Sequence, residues 1–217
     1  MGNRPGSKSR PRPAKPAPLR RRDLPCDTLE LSRYLIGKTL VHDLPEGRLA
    51  GRIVETEAYP VGDAAAHSFR GQTVRNRSLF LERGHSYVYF AYGSCWMMNV
   101  SSESAGVGAG VLIRALDPVE GIDIMQRNRR VSRSLDLTRG PGRLAQAMRI
   151  DKSQDGLDLC SGGRSLLWLG SPLRSSVQIG ITTRIGLSRE AHRQYRFFEV
   201  GNPFVSGPRR LLLKQDR

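Results

Sequence analysis

Long apolar runs are missing from this 217-residue chain. A membrane-crossing helix needs about 20 consecutive apolar residues, and no segment approaches that length. The N-terminus also lacks the apolar stretch of a secretory leader, so the expectation is an intracellular protein with no membrane partner. Cysteine is scarce: Cys26, Cys95 and Cys160 stand far apart without a C-x-x-C pair. That spacing excludes a disulfide framework and a thiolate zinc site. Acidic residues are short as well, with 20 Asp and Glu against 35 Lys and Arg and a formal net charge of +15. Such an excess points to a polyanionic partner, nucleic acid first among them. Residues 1–23 contribute eight of the cations against the single acid Asp23, yet the remaining chain is still net basic. The tail alone therefore does not explain the bias.

What is present divides into two regions. Residues 1–23 are rich in Pro, Arg, Lys and Ser with almost nothing apolar to bury, and they read as a disordered basic tail. Residues 24–217 read as one α+β domain, without repeats or an internal linker. Asp27 followed by Glu30 has the shape of a helix start, opening a short helix that stops at Gly37. Residues 38–44 and 48–59, around Pro45-Glu46-Gly47, predict a β-hairpin, and residues 86–91 and 95–101 around Gly93-Ser94 predict a second. A strand follows over 111–116, then a helix from Pro118 to Arg130. Residues 127–139 read as an exposed basic loop and a further helix starts near Arg143. Strands and turns fill 166–213.

Several residue patterns are candidates for chemistry. In Arg52-Ile-Val-Glu-Thr-Glu-Ala-Tyr59 the strand period of two puts Ile53, Glu55, Glu57 and Tyr59 on one face. Four of the six tyrosines lie between 59 and 92. Tyr87 and Tyr89 share a strand face, whereas Tyr92 falls at a hairpin tip, placed to act as a wedge between base pairs. His67 follows Ala64-Ala65-Ala66, where small residues permit close approach to main-chain N–H groups. Arg70, Arg75 and Arg77 sit in a small polar segment suited to phosphates. Asn99 and Arg114 interrupt apolar strands and need a partner or a cleft. Gly140-Pro141-Gly142-Arg143 offers free N–H groups and a cation for another phosphate.

Taken in order, these motifs resemble the alkyladenine (3-methyladenine) DNA glycosylase family of the mammalian type. They are Arg52–Tyr59, Ala65-Ala66-His67, Thr73-x-Arg75-Asn76-Arg77, Tyr87-Val-Tyr89-x-x-Tyr92-Gly93, Met98-Asn99-Val-Ser101, Val111-Leu-x-Arg114-Ala115-Leu and Gly140-Pro-Gly-x-Leu144. The resemblance implies a single mixed domain around a curved antiparallel β-sheet with flanking helices, and no metal or other cofactor. It implies that Glu57 is the general base, that Tyr59, His67 and Tyr89 surround a flipped base, and that Tyr92 enters the minor groove. Asn99 would guard the pocket against guanine, and Arg114 would help hold water and the sugar-phosphate. Arg75, Arg77 and Arg143 would grip DNA.

On this reading the protein is a monomer acting on double-stranded DNA that contains damaged purines. With no lysine placed to form an imine, it hydrolyses the base–sugar bond and leaves an abasic site. The compact chain suggests a bacterial source, with the protein in the cytoplasm or at the nucleoid. Two rivals share part of the pattern. A binding module would use the cations and tyrosines without Glu57, and a metal-dependent nuclease would gather Glu55, Glu57, Asp63 and His67.

Overall fold

The computed structural model describes residues 15–162, 164–173 and 177–208. The tail expectation for residues 1–14 and the strand expectation for 209–213 lie outside these. Residues 17–23 lie against the domain. Leu19 N–H donates to Leu169 C=O at 2.9 Å, Ser171 N–H donates to Ala17 C=O at 2.7 Å, and Arg21 pairs with Asp158 at 2.8 Å. The packed region therefore starts ahead of Leu24.

Helix α1 (Thr28–Leu35) begins where the Asp27 carboxylate accepts the Glu30 N–H at 2.8 Å. It buries Leu31 and Leu35 and ends before Gly37, whose φ of +85° favours glycine. The first hairpin is β1 (Thr39–Leu44) and β2 (Gly47–Tyr59). The second is β3 (Ser86–Ala91) and β4 (Cys95–Ser101). Both stand where alternating apolar residues flank turn formers. β5 (Gly110–Glu120), β6 (Leu167–Gly170), β7 (Ile179–Thr182) and β8 (Arg196–Glu199) complete a strongly curled antiparallel sheet of eight strands in the order β3-β4-β5-β2-β1-β6, with β8 joining β2 and β7 joining β8.

Strand β2 organises the molecule. One edge pairs with β5 along its length, while the other pairs with β1 up to Arg52 and with β8 over Glu55–Glu57. The register against β5 slips between Ile53 and Glu55, a β-bulge that changes which residues share a face. Ile53 consequently sits in the main core with Leu31, Leu35 and Ala58, whereas Val54 packs with Phe198 and Val205. The expectation of one face for Ile53, Glu55, Glu57 and Tyr59 thus fails at Ile53, because the bulge inserts a residue.

Two further expectations need correction. Pro118 does not start a helix: it lies within β5, opposite Gly51 where the pairing shifts again, a location that tolerates a missing N–H. Helix α2 (Ile122–Arg129) begins four residues later, after Gly121. A Cβ at Gly121 would lie 2.4 Å from the Arg48 carbonyl oxygen, so only glycine fits this corner. The segment 127–139 is not all exposed loop, since Leu137 and Thr138 are buried and the Thr138 hydroxyl donates to Leu116 C=O at 2.6 Å. Helix α3 (Pro141–Ala147) starts with proline in its first turn, slightly before the expected position.

Candidate active site

Where β2 passes between β5 and β8, its two carboxylates receive different surroundings. Glu55 is fully buried. Its Oε1 accepts from Arg114 Nε at 3.0 Å, Arg196 Nε at 2.6 Å and the Ser206 hydroxyl at 3.0 Å, and its Oε2 accepts from Ser206 N–H at 2.6 Å. Burial pushes this carboxyl up, but the two guanidiniums and the Ser206 N–H outweigh it and hold Glu55 below the usual carboxylate range. Glu57 is also fully buried. Its Oε2 lies 3.0 Å from Arg114 Nη1 and accepts the Tyr59 hydroxyl at 3.0 Å, while its Oε1 accepts Ile185 N–H at 2.8 Å.

Beside this cluster opens a pocket of about 490 Å³, its mouth included, lined by Tyr59, Tyr89, Tyr92, His67, Asn99 and Leu187 together with small residues such as Ala65 and Gly110. Glu57 is one layer behind this wall, linked to it through Tyr59. Tyr87 and Tyr89 stack with centroids 5.2 Å apart, and the His67 ring meets Tyr89 edge-on at 4.5 Å. His67 Nδ1 and the Tyr87 hydroxyl are 3.0 Å apart. Burial raises the phenol pKa values of Tyr59 and Tyr89, with Glu57 adding to the effect at Tyr59, and raises Tyr87 to about 12. All three rings keep their protons at neutral pH. Loss of solvent, and then the charge of Arg75, hold His67 below the ordinary imidazole value, so it is neutral there. Asn99 Oδ1 is buried and has no hydrogen-bond partner among the described residues. Gly110 lies in the same wall because a Cβ there would come within 2.7 Å of Leu79 Cδ2.

The remaining predicted residues surround the mouth or lie beyond it. Tyr92 is 85% exposed with φ of +52°, and Gly93 follows at +63°. Ser94 N–H donates to Ala91 C=O at 3.0 Å, so both central residues of this turn are left-handed, as a type I′ hairpin requires. The tip thus carries an exposed ring at a position that favours glycine. Arg75 and Arg77 are exposed, and Arg75 Nη2 donates to Phe90 C=O at 3.1 Å. Arg143, at the start of α3, is exposed and lies 3.4 Å from Asp136. It lines a separate cleft with Arg129 and Arg139 rather than the aromatic pocket.

Sequence reasoning missed several participants. Arg184 and Arg196 are buried cations, and Ser206, Ile185 and Leu187 come from late segments without a motif. Asp63 was a candidate metal ligand but pairs with Arg184, just as Glu55 pairs with Arg114 and Arg196. Among the described residues no group of three His, Cys, Asp or Glu gathers as a metal site. No helix there is long and apolar enough to cross a membrane.

Comparison with known proteins follows the same lines. The family model described as methylpurine-DNA glycosylase matches residues 22–203. A Mesorhizobium japonicum protein is 63% identical over 194 residues, covering 89% of this chain and 92% of its own. A Paraburkholderia phytofirmans protein is 56% identical over 196 residues, covering 90% and 91%. One from Chlorobium phaeovibrioides is 44% identical over 181 residues, covering 82% and 91%. All three bear the name "Putative 3-methyladenine DNA glycosylase".

Proposed function

The chain belongs to the methylpurine-DNA glycosylase family, base excision repair hydrolases of N-glycosyl bonds in DNA, and from that premise we propose that it excises alkylated and deaminated purines from duplex DNA with Glu57 as general base. The observation that carries this reading is a buried carboxylate hydrogen-bonded to a tyrosine that forms the wall of an aromatic pocket.

A base within a stacked duplex is out of reach and must be extruded at a cost of a few kcal/mol. Tyr92 supplies a wedge for the gap, and the exposed Arg75, Arg77 and Arg143 hold the backbone phosphates. Tyr59, Tyr89 and His67 then surround the base. A purine alkylated at N3 or N7 is cationic, and stacking on a tyrosine favours it by about 0.5–2 kcal/mol over a neutral ring. A neutral His67 adds no opposing charge. Deaminated purines are neutral and depend instead on hydrogen bonds from His67, because the Ala65 and Ala66 N–H groups are already given to Asp63, while Asn99 discriminates against guanine's exocyclic amine.

In the chemical step a water oxygen bonds to C1′, the C1′–N bond breaks, and its electron pair leaves with the base. Glu57 takes the water proton, a role worth about 10²–10⁴-fold, and its charge stabilises the cationic sugar. Arg114 keeps the carboxylate oriented. Glu57 is fully buried and bonded to the Tyr59 hydroxyl, so this reading requires that hydroxyl to shift and admit water when a nucleotide enters.

The test is incubation with methylated duplex DNA in EDTA, followed by separation of the released bases. Free 3-methyladenine or 7-methylguanine, with strands intact until alkali cleaves the abasic sites, supports the proposal. Direct strand cleavage or loss of activity in EDTA overturns it.

A further inference from the structure

Arg184, in the loop between β7 and β8, is fully buried and takes no part in the chemistry above. Its Nη1 donates to Ala58 C=O at 2.9 Å and to the Asp63 carboxylate. The guanidinium lies over the ring of Tyr59, 4.6 Å from its centroid, and over that of Tyr195 at 5.4 Å. Its Nε and Nη2 have no hydrogen-bond partner among the described residues. A buried cation with unpartnered donors is costly, so stability alone is a poor reason for this arrangement. What the position offers is a flat cation that can stack on two rings while pairing with a carboxylate, something a lysine cannot do.

The two loops that meet at this pair each supply part of the site. The Arg184 loop contributes the Ile185 N–H that holds Glu57 Oε1 and the Leu187 side chain in the pocket wall. The Asp63 loop contributes Ala65, Ala66 and His67 to the same wall, and Asp63 Oδ1 fixes it by accepting Ala65 N–H at 2.9 Å. Tyr59, beneath the guanidinium, bonds to Glu57.

We propose that the Asp63–Arg184 pair is a positioning clasp for base excision, joining the two pocket loops and fixing Tyr59 and Ile185 around Glu57. The inference rests on Glu57 as the base. Neither clasp residue touches the reacting atoms. Their effect falls on the rate of excision rather than on affinity for DNA.

The experiment compares Asp63→Asn, Arg184→Gln and Arg184→Lys with the unaltered protein. Single-turnover release of 3-methyladenine is measured beside affinity for a duplex carrying a tetrahydrofuran abasic analogue. Folding is checked by cooperative thermal melting, and Tyr195→Leu, which removes one stacked ring but leaves the ion pair, provides a milder variant. We expect excision to fall by about 10²-fold in Asp63→Asn and Arg184→Gln, the scale of a small misplacement of reacting groups. Affinity for the analogue should be nearly unchanged, Lys should rescue poorly, and Tyr195→Leu should give a smaller loss of the same kind. Folded variants that excise normally, or that lose rate and affinity in parallel, overturn the clasp. Glu57→Gln is measured alongside: normal excision there defeats the general-base reading, whereas an inactive Glu57→Gln beside a fully active Asp63→Asn defeats the clasp alone.

Discussion

Glu55 and Glu57, two residues apart on one strand, share a single guanidinium: Arg114 Nε is 3.0 Å from Glu55 and its Nη1 is 3.0 Å from Glu57. The difference between them lies in their other partners. Glu55 is closed in by Arg196 and Ser206, whereas Glu57 bonds to a tyrosine of the pocket wall. The first is structural. Glu55→Ala leaves two buried arginines short of their partner and should destabilise the domain by about 3–5 kcal/mol. Because the folded-state pKa of Glu55 is depressed, its stabilising contribution is fully present above the unfolded value of about 4.3 and is lost as pH falls through the folded value. Urea unfolding at neutral and acid pH checks this: the variant should lose stability mainly at neutral pH and less in acid. A pH-independent loss would contradict it.

Tyr92 occupies a left-handed position without being glycine. Tyr92→Gly removes a backbone cost of about 1–2 kcal/mol and almost no buried area. Its melting temperature should therefore rise or stay level while excision from duplex DNA falls. A variant that melts early, or one that excises normally, would deny Tyr92 the role of wedge.

His67 should titrate below the ordinary value of about 6.5, as measured by NMR of its ring protons, because burial and then Arg75 disfavour the charged form. Arg75→Ala removes one like charge, so the His67 pKa should move upward toward that value. No movement would mean that the arginine does not face the ring.

The exposed arginines should act on affinity without sequence preference. Replacing Arg75, Arg77 or Arg143 singly with alanine should flatten the slope of log K against log salt by about 0.9 for each phosphate no longer neutralised. An affinity and slope equal to those of the unaltered protein would mean that the replaced arginine does not meet a phosphate.

Much of this arrangement was legible in the chain because it depends on local chemistry. The hairpin around Gly93, the cap at Asp27 and the tyrosine alternation of β3 all obey neighbour rules, and they carried Tyr59, Tyr89, His67 and Asn99 to one pocket. Three features were not legible. The bulge at Val54 changes face by one residue without leaving a signature. Pro118 reads as a helix opener, although a register shift beside it, where Val119 of its own strand is the extra residue, makes room for it. Arg184 reaches Asp63 across 121 residues of chain, and nothing near either residue announces the other.

The most direct measurement is single-turnover excision by Glu57→Gln on methylated duplex DNA, with binding to the abasic-analogue duplex measured on the same preparation. The account predicts that the variant keeps its affinity while release of 3-methyladenine falls by about 10²–10⁴-fold. Release at the unaltered rate by a variant that binds normally would contradict it.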